Sequence, residues 1–206
     1  MQIDRALVDG GDVCPSLRVY EWTRPAITAG LFSEPELLLN LDQCRTLSLD
    51  IVKRPTGGGI LFHHTDLVCS FFIPHAAALR ETVDALNARL LAALTPFLPP
   101  PNTSSVTPSA GAVQFCMAQA SPSDLLWNGR KIGGGAQRKS RAGLLHQVSL
   151  FLQKPDWESI AACVRRTEDA QTMQKASASL EELSLRPVDR RLVREAVAEQ
   201  FHGEFL

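Results

Sequence analysis

The run Asn128-Gly129-Arg130-Lys131-Ile132-Gly133-Gly134-Gly135-Ala136-Gln137 reads as the turn and second strand of a β-hairpin. Asn128 and Gly129 both tolerate positive φ, which marks a two-residue turn, and Asp124 to Trp127 supplies the strand before it. Alternation along the strand Lys131 to Gln137 sends Lys131 and Ile132 to opposite faces. With Ile132 in a core, the Lys131 ammonium lies beside a track of small residues, although a strand lysine is in most proteins simply solvated. Fifteen residues upstream stands Cys116, at the end of another expected strand, Val113 to Cys116. A free cysteine is usually a small buried hydrophobe. A cation beside it would instead favour the thiolate, and Lys131 is the candidate. Thiol, lysine and bare backbone are the parts needed to hold an acyl group while it changes partners.

A second glycine run, Lys53-Arg54-Pro55-Thr56-Gly57-Gly58-Gly59-Ile60-Leu61-Phe62-His63, follows the strand Ile51 to Arg54. Ile60-Leu61-Phe62 carries no helix-start signal, so the element reads strand, loop, strand. A P-loop or a dinucleotide fingerprint would need its glycines to open a helix. Backbone at Gly57, Gly58 and Gly59 would instead let an extended ligand lie flat on the sheet, with Arg54 at its rim. His63 and His64 adjoin this loop and His146 lies on the strand Leu144 to Leu152, each as suited to a scaffold hydrogen bond as to catalysis.

Around these runs the pattern predicts a short helix at Ile3 to Leu7, strands at Leu17 to Trp22 and Ala26 to Phe32, and helix from Glu36 to Leu47. Leu67 to Ile73 is almost wholly apolar and reads as a strand buried on both faces. Leu79, Val83, Leu86, Leu90 and Leu94 give one face of a helix over Ala76 to Leu94, stopped by Pro96; Pro99 to Ser109 reads as a surface loop. From Trp157 the chain turns helical, with Val188, Leu192, Val193, Ala196, Val197 and Phe201 on one face. Strands first and helices last predict an α+β domain over 1–206, with a mixed, largely antiparallel sheet flanked by helices.

The chain has 206 residues, 45% hydrophobic and 21% charged, with a net charge of -1, which argues against disorder and against a globally basic nucleic-acid binder. Its five cysteines form no CxxC pair and no metal-like spacing with the five histidines, so no metal site is expected and the thiols read as those of a reduced, cytoplasmic protein. No apolar run approaches the roughly 20 residues that span a bilayer, and the amino terminus lacks a secretion-signal pattern. From Asn128 to Phe151 stand Arg130, Lys131, Arg138, Lys139 and Arg141 with no acidic residue, either a solvated hairpin or a docking patch for an acidic partner.

Taken together, the motifs resemble the lipoate–protein ligase, octanoyltransferase and biotin–protein ligase superfamily. Met1 to Leu7 is similar to its opening Met-Ala-x-Asp-Glu-Ala-Leu element, Arg54 to His63 to its Arg-Pro-Thr-Gly-Gly-Gly-x-x-x-His loop, and Lys131 to Gln137 to its Lys-Ile-x-Gly-x-Ala-Gln motif. One transferase branch resembles this chain in placing a nucleophilic cysteine fifteen residues before the motif lysine, with an acidic strand between, as Cys116, Asp124 and Lys131 stand here. The chain departs from the pattern at His64, where aspartate is usual, at Val148, where glycine is usual, and at Ser123, where ligases often have asparagine.

That resemblance implies an octanoyltransferase that moves octanoate from acyl carrier protein, through Cys116, to a lysine of a lipoyl-carrier domain such as glycine cleavage H protein or a dehydrogenase E2 subunit. It implies Cys116 and Lys131 as catalysts. Arg54, Gly57, Gly58, Gly59, His63, Asp124, Gly133, Gly134, Gly135, Ala136, Gln137 and His146 would be substrate-binding residues. No cofactor is implied for the transferase. The alternative is an ATP- and magnesium-dependent lipoate ligase; a third possibility is a non-catalytic acyl-binding homologue. Neither nucleic acid nor membrane is an expected partner.

Overall fold

The computed structural model describes residues 1–10, 14–76, 78–102, 114–203 and 205, so Gly11, Ala77, Val113 and most of the Pro99 to Ser109 loop lie outside the described residues. In chain order the first half comprises α1 (Gln2–Val8), β1 (Ser16–Tyr20), β2 (Ala26–Ala29), α2 (Pro35–Leu38), α3 (Leu41–Thr46), β3 (Asp50–Lys53), β4 (Ile60–His63), β5 (Asp66–Pro74) and α4 (Leu79–Leu94). The second comprises β6 (Leu125–Trp127), β7 (Arg130–Lys139), β8 (Gly143–Phe151), α5 (Trp157–Cys163), α6 (Thr167–Ala176), α7 (Leu180–Ser184) and α8 (Arg190–Gln200).

The larger sheet is antiparallel throughout, in the order β1-β5-β8-β7-β6. Its β6–β7 hairpin turns at Asn128 and Gly129, with φ of 49° and 76°, as the sequence required. β8 is buried along its whole length and β5 along most of it, because helices cover one face and the smaller sheet the other. On the helical side α4 packs against α8, and Leu86, Leu90 and Leu94 meet Val193, Val197 and Phe201 in the main core. Leu79 and Leu192 leave their expected faces and are 39% and 45% exposed. Leu79 opens α4 before the core begins, and Leu192 lies one residue, about 100°, off the Val193–Val197 stripe.

A second, three-stranded sheet has the order β3-β2-β4, with β2–β3 parallel and β2–β4 antiparallel. The chain therefore builds two sheets where the sequence suggested one. Because β2 stands between β3 and β4, the glycine loop 54–59 must cross the end of β2 and span two strand spacings, roughly 10 Å. Three backbone bonds fix that crossing: Arg54 N–H to Ala29 O (2.9 Å), Leu31 N–H to Thr56 O (2.9 Å) and Gly30 N–H to Gly59 O (3.1 Å). The crossing also ends β2 at Ala29, three residues short of the expected strand. Glu36 to Leu47 divides into α2 and α3, because Leu39 is extended and Asn40 caps α3 by accepting from Gln43 N–H. Among the described residues, no helix is long and apolar enough to cross a membrane.

Candidate active site

Where the two sheets face each other they form a half-open cavity of about 250 Å³. Leu61, Val68, Ala136 and Val148 give it an apolar part; Arg54, His63, Asp124 and Lys131 bring charge and hydrogen bonds to its wall. Cys116 lines it too, but in a turn rather than at the end of a strand. Among the described residues of the strand expected there, Phe115 makes a single parallel bridge with Ile60, in which Cys116 N–H donates to Ile60 O (2.8 Å) and Ile60 N–H to Gln114 O (2.8 Å). That bridge fixes the backbone while the following turn leaves the thiol half-buried at the cavity.

The cation at the sulfur is Arg54, whose Nη2 lies 3.4 Å from Cys116 Sγ. Gly58 makes this meeting possible. It sits at φ 86°, and a Cβ there would lie 2.8 Å from Arg54 Nη2 and 3.5 Å from the sulfur.

Lys131 projects from β7 to the cavity face while Ile132 enters the main core, as alternation demanded. It is not solvated; only 3% of it is exposed. Its ammonium donates to Asp124 Oδ2 (2.7 Å), Gln119 O (3.1 Å) and Cys116 O, so all three of its protons are engaged and none points at the sulfur. Asp124 Oδ1 in turn accepts from Gly135 N–H (2.9 Å). Gly135 has to lack a side chain, because a Cβ would lie 2.1 Å from Ser123 O.

Of the residues expected at the site, Cys116, Lys131, Arg54, Gly58, His63, Asp124, Gly134, Gly135 and Ala136 line the cavity. Gly57, Gly59, Gly133, Gln137 and His146 do not. Gly57 and Gly59 brace the crossing loop through carbonyls that accept from Arg54. Register explains the others: Ala136 pairs with Gln147 on the cavity face, whereas Gln137 pairs with His146 on the helical face, and Gly133 packs against Leu125 and Leu150 there. His146 Nδ1 accepts from Gln137 Nε2 (3.0 Å) and its Nε2–H donates to Asn87 Oδ1 (3.0 Å). Gln137 and Asn87 both hold Ser123, one residue before Asp124, so this pair braces the turn from behind the sheet. Burial pulls the His146 pKa down to about 4, against a smaller opposing effect of the Ala136 backbone carbonyl as acceptor, and the ring is neutral near pH 7.

His63 uses both ring nitrogens: Nε2 meets Thr28 Oγ1 at 2.7 Å and Nδ1 meets Asp66 Oδ2 at 2.6 Å. Burial alone would raise the Asp66 pKa. The adjacent His63 and hydrogen bonds from His63, Ser149 and the His64 amide outweigh it and hold the carboxyl below its usual range. Thr28, Asp66 and Gln147 escaped the sequence reading. The visible signal was a polar residue at a buried position of an apolar strand.

The remaining thiols differ from Cys116. Burial raises the pKa of Cys44, and that of Cys69 and Cys163 to about 12, while Cys14 is exposed away from the cavity.

Fold and site together define a two-sheet α+β catalytic domain that presents a thiol and a buried lysine–aspartate pair to a partly apolar cleft. The chain belongs to the lipoyl protein ligase A/B catalytic domain family, whose model it matches over residues 1–202. It is 32% identical to the octanoyltransferase LipM of Symbiobacterium thermophilum, in a match covering 74% of this chain and 60% of that protein. It is 25% identical to the octanoyltransferase LipM of Kyrpidia tusciae, over 98% of this chain and 80% of that protein. The fold is shared with a bipartite lipoate protein ligase from Thermoplasma acidophilum (TM-score 0.71, 19% identity, 96% of this chain and 74% of that one). It is shared equally with a lipoate-protein ligase A solved with ATP (TM-score 0.72, 19% identity, 96% and 76%).

Proposed function

We propose that this chain is an octanoyltransferase that carries octanoate on Cys116 between an acyl carrier protein and a lysine of a lipoyl-carrier domain. The observation that carries the reading is the Cys116 thiol, which lines a partly apolar cavity with the Arg54 guanidinium on its sulfur. The likeness to octanoyltransferases supports it.

In this mechanism the Cys116 sulfur attacks the carbonyl carbon of the carrier thioester. The carbon–sulfur bond to the carrier breaks, and the departing thiolate takes up a proton equivalent to the one Cys116 lost. The acceptor lysine, as a free amine, attacks octanoyl-Cys116; the second carbon–sulfur bond breaks, an amide forms and the amine proton returns to the thiol. Negative charge on sulfur meets Arg54. Lys131 reaches the acyl oxygen by giving up its longest contact, with Gln119 O, while Asp124 holds its charge in place. Donor and intermediate are both thioesters, so the reaction calls for neither nucleotide nor metal.

The test is mass analysis after mixing with octanoyl-acyl carrier protein. An octanoyl adduct on Cys116 that discharges to a lipoyl-carrier domain without ATP is the expected result. Product formed only with octanoate, ATP and magnesium would replace this reading with a ligase, and no product under either condition would leave an acyl-binding homologue.

A further inference from the structure

Arg54 is 5% exposed, and a guanidinium cannot shed its charge. A buried cation ordinarily has an anionic partner. Its hydrogen bonds nevertheless go to the carbonyl oxygens of Thr28, Gly57 and Gly59, the Thr28 hydroxyl and the Cys116 sulfur, and among the described residues no carboxylate pairs with it.

Followed outward, the hydrogen bonds do reach a carboxylate. Arg54 Nη1–H donates to Thr28 Oγ1 (3.0 Å), which leaves the hydroxyl its own proton to give to His63 Nε2 (2.7 Å). His63 then carries its ring proton on Nδ1 and donates it to Asp66 Oδ2 (2.6 Å). This assignment gives every proton in the chain an acceptor. Asp66 is itself fixed by Ser149 Oγ–H (2.6 Å) and the His64 amide (3.2 Å), and all four linked residues are buried. With both nitrogens committed, and the Trp22 ring 4.7 Å from its own, His63 has no site left to exchange a proton with substrate.

We propose that Thr28, His63 and Asp66 form a positioning relay that holds Arg54 against the Cys116 sulfur and supplies the remote counter-charge to its guanidinium. Thr28 and Asp66 are positioning residues here, and His63 joins them instead of contacting the acyl group. The relay's part in acyl transfer rests on Cys116 being the nucleophile, as proposed above; its hold on the sulfur does not.

Alkylation of Cys116 by iodoacetamide near neutral pH reads the sulfur without any acyl donor, and exposed Cys14 in the same sample serves as the internal standard. Thr28→Val removes the hydroxyl that joins Arg54 to His63 while nearly keeping the side chain's shape. Cys116 alkylation should slow about tenfold, the scale of one lost hydrogen bond to a charged group. Cys14 should be unaffected, and Thr28→Ser should restore the wild-type rate. A purely structural loosening would act the other way, exposing the half-buried thiol and speeding its alkylation. In turnover Thr28→Val should lower kcat and leave KM for octanoyl-acyl carrier protein unchanged. Asp66→Asn examines the far end and should slow alkylation by a smaller factor; it answers the same question if Thr28→Val does not fold. Unchanged or faster Cys116 alkylation in either folded variant overturns the relay. If alkylation depends on Thr28 but wild-type protein forms no octanoyl adduct, the relay stands and the transferase reading falls.

Discussion

Lys131→Met tests whether the lysine–aspartate pair is needed for fold and chemistry at once. Both side chains are nearly sealed from water, Lys131 at 4% and Asp124 at 1% side-chain exposure, and their charged atoms are 2.7 Å apart. Deleting the ammonium leaves a buried carboxylate and the carbonyls of Cys116 and Gln119 without their donor. Breaking a buried ion pair from one side costs about 3–5 kcal/mol. At about 2–4 °C per kcal/mol for a chain of this size, the melting temperature should fall by about 6–20 °C. Acylation of Cys116 should fall by about 10²- to 10³-fold, the scale of one lost oxyanion donor. Lys131→Met combined with Asp124→Asn removes the unpaired charge. It should regain most of the stability and none of the acylation rate. Differential scanning calorimetry and a single-turnover acyl-enzyme assay measure the two effects separately. If Lys131→Met melts like the wild type, the pair does not hold the folded state; if it acylates normally, Lys131 has no part in the chemistry.

Cys116→Ser should abolish thioester-dependent transfer without lowering the melting temperature, whereas Cys14→Ser should transfer normally; near-wild-type turnover by folded Cys116→Ser would remove the thiol from the mechanism. Lys139 and Arg141 are exposed beside the β7–β8 turn, and Lys139→Glu/Arg141→Glu should raise KM for the acidic carrier protein more than it lowers kcat, most at low salt. Identical kinetics across a salt series would show that those charges only face solvent. His146 binds its proton below about pH 4 in the folded protein and near 6.5 when unfolded, so the unfolded state alone takes it up between those values. Stability should therefore drop as pH falls through that window, by up to about 1.4 kcal/mol per unit. Urea titrations of His146→Gln should show a shallower slope there, and an unaltered slope would contradict the assignment.

The hairpin turn, the burial of β5, the two glycine runs and the opposed faces of Lys131 and Ile132 were all legible from local pattern, because each depends on residues close in sequence. Partnership was less legible. The thiol's cation proved to be Arg54, which stands 62 residues away and arrives through the crossing of β2. His63 lacks an acid at the next position, yet Asp66 reaches it from the start of β5. Gln137 and His146 fell on the helical face because β7 is irregular where Lys131 and Gly133 oppose the consecutive residues Leu126 and Leu125, which no local pattern reveals, so Gln137 no longer shares the face of Lys131. A two-residue period shows that neighbours diverge; it does not say which face a ligand takes.

Cys116 and Lys131 are anchored to different sheets. Cys116 is tied through its amide to β4, Lys131 is part of β7, and no strand ladder joins the two sheets among the described residues. The bond from Lys131 Nζ to Cys116 O is thus one of the few ties across the seam, beside those of His63 to Asp66 and of Thr56 to Gln147, and it reads the gap at the thiol itself. Separating the sheets by an ångström would strain side-chain contacts along the seam while every rung of both ladders stayed intact. The spectroscopic environment of the Cys116 carbonyl would register that motion before any backbone amide in either sheet became exchangeable.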